Sequence, residues 1–393
     1  MILLKIVLNA ELAHHKMRNK KLKIFIIAGE VSGDVLGAKI MHEMPGADFV
    51  GVGGENMTRA GLKSIFSMSD LSVMGAIEVV AHARTLTRRI QQTINAIINE
   101  HPDIVLTIDS PGFARNVVGR LRKSSAGQNL IAQGLRFHHV VAPQVWAWRP
   151  GRAKKYARLF DKLYAFFDFE LPYFTKYGLD TIAVGHPVSD GLIGKKYMGN
   201  NGNTIALIPG SRMSEVRRLL PIMHDFAKCI HNENHEYNFV IPTVETTREY
   251  ITDFVQNWDE PVKLIPSDER YDMYANTFVA VAASGTVSAE LAMIHVPSII
   301  VYKMNPITLW LARMVIRTRW VSLVNILLKR GIYPELLGPH ATTANVVNEF
   351  KKLTVPSVRK KMIAELASAD TLWQKIDGAP AKIIANDLMN TNK

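Results

Sequence analysis

The sequence predicts an α/β protein of two Rossmann-like halves, and three observations carry that prediction. Short β-rich runs alternate with helical stretches, the sign of parallel strands joined by crossover helices. The alternation breaks at a glycine-rich stretch, residues 190–203, and then restarts. The runs 24–27 and 104–106 are continuously apolar, as strands covered on both faces must be. A length of 393 residues suits two to three domains. With 48% hydrophobic and 21% charged residues the chain can fill large cores, which excludes a disordered polymer.

In the first half, strands are expected at 23–28, 49–52, 104–108, 137–141, 162–167 and 181–184. Helical patterns fall at 38–44, 76–100 and 113–123. The break carries Gly191, Gly194, Gly199 and Gly202 among polar residues and reads as a linker. Beyond it, strands are expected at 204–208, 237–241, 262–265, 279–282 and 298–301, with helices over 215–230 and 287–294. The end of the chain is helical and charged. The division is therefore 1–22, an N-terminal extension with no packing pattern; 23–190, the first Rossmann-like domain; 203–345, the second; and 346–393, a helical segment. Residues 1–8 are apolar but lack a basic leader and a small-residue cleavage site, so they do not read as a signal peptide. Met17 is an alternative start.

A net charge of +12 points to an anionic partner: nucleic acid, an acidic membrane face or a phosphorylated substrate. The single cysteine, Cys229, excludes intrachain disulfides and cysteine-cluster metal sites. No apolar run reaches the roughly 18 residues of a spanning helix. His14-His15 and His138-His139 are adjacent pairs that point apart on a strand, and Asp168-Phe169-Glu170 lies among aromatics. Neither a metal nor a cofactor is expected.

Four loops carry candidate chemistry, each at the end of a strand. The first strand runs into Gly29-Glu30-Val31-Ser32-Gly33-Asp34, where glycines let backbone approach an anion at a helix N-terminus. A plain tight turn with Asp34 as cap fits equally. The third strand ends in Asp109-Ser110-Pro111-Gly112, placing a carboxylate where parallel sheets keep their chemistry. Such a group can take a proton from a hydroxyl nucleophile, although capping the next helix is the ordinary alternative. In the second half Pro209-Gly210-Ser211-Arg212 supplies a small turn, a hydroxyl and a forked donor suited to a diphosphate. Ser284-Gly285-Thr286 offers backbone N–H groups and two hydroxyls to phosphate, and Glu290, one turn on, can accept from ribose hydroxyls.

Trp146-Ala147-Trp148-Arg149 followed by Arg152, Lys154, Lys155 and Arg158 combines flat apolar surface with positive charge. Nucleic-acid stacking, a phosphorylated amphiphile, and core tryptophans beside a solvated basic face all fit it. Two stretches have the character of helices lying in an anionic interface. One sets Ile77 and Val80 beside Arg84 and Arg88; the other sets Trp310 beside Arg313 and Arg317. Each also fits a helix packed on its own sheet with a basic edge.

The ordered motifs resemble those of the lipid-A-disaccharide synthases, from about residue 23 to about 339. They include Ala28-Gly29-Glu30, Ser32-Gly33-Asp34, Val145-Trp146-Ala147-Trp148-Arg149, Gly185-His186-Pro187, Pro209-Gly210-Ser211-Arg212, Ala283-Ser284-Gly285-Thr286 and Ser322-Leu323-Val324-Asn325. The resemblance implies a GT-B fold, with a cleft between the halves and the sugar nucleotide held by the second. It implies transfer from UDP-2,3-diacylglucosamine to the 6-hydroxyl of 2,3-diacylglucosamine 1-phosphate, with inversion and no metal. Asp109 would be the base, Arg212 a donor-side contact, and Ser284, Gly285, Thr286, Glu290 and Asn325 the UDP contacts. It further implies a cytoplasmic enzyme, peripheral on the inner membrane of a Gram-negative bacterium, with no nucleic acid bound; a homodimer is left open. This chain departs from the family pattern at Gly112, where a second Asp is usual, and at Gly338, where Gln is usual. The alternatives are another UDP-sugar enzyme, such as an epimerase or N-acetylglucosaminyltransferase, and a basic nucleic-acid-binding protein.

Overall fold

The structure, a computed structural model, describes residues 21–71, 83–147, 149–188, 192, 195–199, 202–303, 318–370 and 379–391. Ile77, Val80, Trp148, Trp310, Arg313 and Arg317 lie outside the described residues, as does almost all of the N-terminal extension. The chain divides into two compact units, 1–185 with 378–393, and 186–377.

The first unit is built on a six-stranded, all-parallel sheet of order β2-β1-β3-β4-β5-β6. Its strands are β1 (Lys23–Ala28), β2 (Asp48–Val52), β3 (Ile104–Ile108), β4 (Arg136–Val140), β5 (Lys162–Ala165) and β6 (Asp180–Ala183). The helices that position the site are α1 (Val31–Glu43), α2 (Glu55–Arg59), α3 (Ala83–Glu100), α4 (Pro111–Leu121) and α5 (Arg152–Leu159). Phe25, Ile27 and Val105 pack into one core, whereas Ile24, Ile26, Ile104 and Leu106 pack into another on the opposite face. Period-two alternation therefore buries residues 24–28 of β1 and all of β3, which accounts for the continuous apolar runs.

The second unit repeats the plan with order β12-β11-β10-β7-β8-β9, again wholly parallel. Its strands are β7 (Thr204–Ile208), β8 (Asn238–Thr243), β9 (Val262–Pro266), β10 (Val279–Ala283), β11 (Ser298–Tyr302) and β12 (Glu335–Leu337). Read from the other edge, this is the 3-2-1-4-5-6 order of the doubly wound dinucleotide fold. The three-residue β12 is too short to leave a periodic signal in sequence. Flanking helices include α6 (Met213–Glu233), α7 (Arg270–Asn276), α8 (Thr286–Met293) and α9 (Leu323–Leu328).

The C-terminal region is shared between the units. Helices Thr343–Thr354 and Pro356–Ala367 belong to the second, while α10 (Pro380–Asn390) returns to the first and buries Ile384 and Leu388 in its core. Asp387 locks α10 to the sheet: Lys162 Nζ and the Tyr164 hydroxyl each donate to it at 2.7 Å. Among the described residues no helix is long and apolar enough to cross a membrane.

Candidate active site

In an open parallel sheet the chain leaves adjacent strands in opposite directions at one point, and the gap there admits a ligand. In the first unit that point lies between β1 and β3, and the loops after these two strands carry Gly29–Asp34 and Asp109. Asp109 continues the ladder by donating its N–H to Val140 O at 3.0 Å, but its backbone then turns left-handed. Asp109 (φ 54°) and Ser110 (φ 45°) are consecutive non-glycine residues in that region. Strain of this kind, of order 1–3 kcal/mol per residue, persists only where neighbours impose it. Here it lifts Asp109, half-buried, off the strand end just before α4 begins at Pro111.

Gly29 makes that turn sterically feasible. A Cβ built on it would lie 1.9 Å from Ser110 Oγ and 2.8 Å from Ser110 Cβ. The Gly29→Ala variant is therefore expected to push the 109–110 turn out of place and to lower the melting temperature by several degrees. A variant that melts like wild type would show that the turn tolerates the shift.

The residues of the first loop divide by exposure. Ser32 is exposed, flanked by exposed Val31 and Val35, whereas Gly33 and Asp34 are buried. The Asp34 carboxylate faces α2, not solvent. Its Oδ1 accepts from Gly54 N (2.7 Å) and Met57 N (3.1 Å), and its Oδ2 accepts from Asn56 N and Asn56 Nδ2 (both 2.9 Å). These backbone N–H groups are the orphan donors at the start of α2, whose own N-cap residue, Gly54, has no side chain to satisfy them. Asp34 thus fixes the loop between β2 and α2 against α1.

In the second unit the switch point lies between β7 and β10, which carry the 209–212 and 283–286 loops. The loops touch: a Cβ on Gly210 would lie 3.5 Å from Ala283 Cβ and 2.5 Å from Glu215 Oε2, and Gly210 itself is left-handed (φ 105°). Ser211, Arg212, Gly285 and Thr286 are exposed. Arg212 leans on Glu215 (3.2 Å), which orients its guanidinium at the mouth of α6. Gly285 precedes α8, and Ser288 caps back by donating to Gly285 O at 2.8 Å.

Two other residues of this unit serve inside it. Glu290 is buried and meets Arg270 at 3.4 Å and the Tyr271 hydroxyl at 3.5 Å. Burial, reinforced by the Glu290 charge, pushes the Tyr271 phenol up to about 12. The buried Asn325 spends its whole amide on the 332–335 stretch. Its Nδ2 donates to Tyr333 O and Glu335 Oε1, both at 2.9 Å, and its Oδ1 accepts from Ile332 N at 2.8 Å and Tyr333 N at 3.0 Å. Glu335 also accepts from Val321 N, Ser322 N and the Ser322 hydroxyl. Arg270 and Glu335 carry no motif of their own in sequence; the charge balance of buried Glu290 and the Pro334-Glu335 turn were their only signals.

Residues 24–379 match the family model described as lipid-A-disaccharide synthetase. A lipid-A-disaccharide synthase of Rhodospirillum centenum is 38% identical over 387 residues, covering 94% of this chain and 95% of the relative. One from Gluconobacter oxydans is 35% identical, covering 93% and 90%. The chain belongs to the lipid-A-disaccharide synthase family. Among solved structures it is similar to a Neisseria meningitidis UDP-GlcNAc 2-epimerase with a TM-score of 0.60 at 13% identity, covering 94% of this chain and all of the other. That likeness, and one of 0.51 to the teichoic acid polymerase TagF over 95% and 88%, speak for the GT-B-like fold alone.

Within this synthase family fold, the tryptophan motif of the first unit is anchored from below. Trp146 stacks edge-on against Phe169, and its indole N–H donates to Glu170 Oε1 at 3.3 Å. Burial pushes the Glu170 carboxyl up to about 7, opposed by the Trp146 and Phe167 donors. A carboxyl raised in the folded state makes stability fall as pH climbs from about 4.5 to about 7, above which the loss is complete. Glu170→Gln is therefore expected to melt higher than wild type at pH 8, by up to roughly 3 kcal/mol, and not at pH 5. Thermal melts at the two pH values check it; equal differences at both would refute the assignment. His138 and His139 do point to opposite sides of β4, toward Tyr164 and Thr107, and burial pushes them down to about 4 and about 3. They are neutral structural groups.

A groove of about 1110 Å³ runs along α3, not at the strand ends, lined by exposed Arg84 and Arg88 with Thr87, Gln91 and Arg120. Buried Ile90, Ile94 and Ile97 hold the opposite face of α3 to the core.

Proposed function

We infer that this protein is an inverting glycosyltransferase that joins UDP-2,3-diacylglucosamine to 2,3-diacylglucosamine 1-phosphate. The products are the β-1,6-linked disaccharide 1-phosphate and UDP. Family membership over nearly the whole chain carries the reading. A sugar 6-hydroxyl is a weak nucleophile, so Asp109 takes its proton while the new bond to the anomeric carbon forms. The bond from that carbon to the diphosphate breaks, and its electron pair leaves with UDP. Arg212 and the N–H groups at 285–286 stabilise the charge that develops on the leaving diphosphate. Glu290 and Asn325 support this donor site by holding its walls.

Both substrates carry acyl chains, so the reaction belongs at a bilayer surface. The Arg84 and Arg88 edge of α3 suits the anionic headgroups of an inner membrane's cytoplasmic face, and Val31 and Val35 offer apolar surface beside the first loop.

The test is the purified protein with both diacyl substrates in mixed micelles, the product identified by mass spectrometry and NMR. Equal turnover of non-acylated UDP-N-acetylglucosamine would favour a soluble UDP-sugar enzyme instead. Co-sedimentation with anionic against zwitterionic vesicles tests the membrane face, and light scattering tests a homodimer.

A further inference from the structure

The turn at 109–110 leads into a helix whose first turn is bare. Helix α4 opens with Pro111-Gly112-Phe113; Phe113 and Ala114 go into the core, and Gly112 is exposed. Five glycines lie inside the α-helices of the described residues: Gly33 and Gly37 in α1, Gly112 and Gly119 in α4, and Gly127 in the helix Ser125–Ala132. Four of them have a close neighbour. A Cβ would meet Ile108 at Gly33, Met57 at Gly37, Leu159 at Gly119 and the Leu121 carbonyl at Gly127. At Gly112 a Cβ would meet no described atom within 4 Å, and the backbone there is not left-handed. Neither packing nor conformation requires glycine at 112, although glycine is the poorest helix former after proline. A residue that weakens its own helix and serves nothing inside the fold directs attention to what lies over it.

What lies over it is the crevice at the switch point between β1 and β3. Helix α1 packs into one core of the first unit and α4 into the other, so the two helix starts flank that crevice from opposite faces of the sheet. Gly112 stands three residues past Asp109 on the α4 side. On the other side α1 begins at Val31, 63% exposed, with exposed Val35 one turn on. The next exposed residue along α4, Asn116, is occupied with its own helix, its amide donating to Gly112 O at 2.9 Å.

We propose that Gly112 is a specificity-determining residue, whose missing side chain leaves room at the Asp109 end of the crevice for an acyl chain of the acceptor. The bare turn on one side and the exposed valines on the other give methylene groups a passage with apolar surface to cover. A side chain at 112 would occupy that passage and exclude long chains before short ones. The family pattern carries Asp at this position, so the added width belongs to this chain. The assignment rests on the acylated acceptor proposed above.

The experiment measures acceptor and donor KM for wild type, Gly112→Ala and Gly112→Leu, with a long-chain and a short-chain diacyl acceptor, beside the melting temperature of each protein. Both variants are expected to melt at or above wild type, Ala by roughly 1–4 °C, because each is a better helix former than glycine. Acceptor KM for the long-chain substrate is expected to rise with side-chain size, reaching roughly 10- to 100-fold in Gly112→Leu, as when extra methylenes are forced into occupied space. The short-chain acceptor loses less, and donor KM stays at its wild-type value. Gly112→Leu with wild-type acceptor KM, with equal losses on the two acceptors, or with a raised donor KM would overturn the role. Gly112→Ala melting below wild type would show that glycine serves the fold, and would overturn it as well. Wild type that makes no disaccharide from either acceptor removes the glycosyltransferase reading, and the role with it.

Discussion

Asp109→Asn is expected to lower kcat by roughly 10²- to 10⁴-fold, the usual worth of a positioned general base. Asn is the informative replacement because residue 109 is left-handed (φ 54°), a conformation Asn tolerates and β-branched or bulky residues do not. The turn is then preserved while the proton acceptor is removed. UDP affinity by calorimetry and the melting temperature are expected to stay at wild-type values, since the proposed UDP contacts belong to the second unit. A kcat within a few-fold of wild type would reject Asp109 as the base. Loss of UDP binding would mean that the substitution had disturbed more than proton transfer.

Asp34→Ala is expected to be the most destabilising single change near the site. It strips the acceptor from three backbone N–H groups and the Asn56 amide, all in or near the interior. Breaking a buried charged network typically costs about 3–5 kcal/mol. That is a large share of a domain's roughly 5–15 kcal/mol total, and corresponds to a drop in Tm on the order of 10 °C. Asp34→Asn keeps one acceptor oxygen and should fall between wild type and Ala. Melting of the three proteins side by side checks the order. An unchanged Tm in Asp34→Ala would show that the loop before α2 does not need its carboxylate cap.

The contrast between these two aspartates shows what was legible in the sequence. Both stand in short glycine- or proline-bearing motifs after a strand, and sequence offers the same pair of readings, site or cap, for each. The fold gives them different surroundings. Asp109 is raised on a left-handed turn at a switch point, whereas Asp34 points back into α2, twenty residues further along the chain. Asn325 and Glu290 divide from Arg212 and Thr286 in the same way, the first pair buried in networks and the second exposed at loop tips.

Glu335 was hidden as an organiser, because its three partners, Val321 and Ser322 before α9 and Asn325 within it, lie 10–14 residues upstream in a stretch with no periodic signal.

The two-halved α/β plan follows from the sequence alone. Alternating β-rich and helical runs, a glycine-rich break and fully apolar central strands are local signals, and local periodicity is what a parallel sheet imposes on its own strands. The ordered loop motifs likewise suffice to place the chain among the lipid-A-disaccharide synthases. Strand order, and hence which loops share a switch point, was decided only by tertiary structure. So was the return of α10 to the first unit, fixed by Lys162 and Tyr164 on Asp387. These are contacts across tens to hundreds of residues. The hydrogen bonds and buried faces that turn the Asp34 carboxylate into α2 and leave Asp109 half-buried at a strand end come into being only when those distant segments meet.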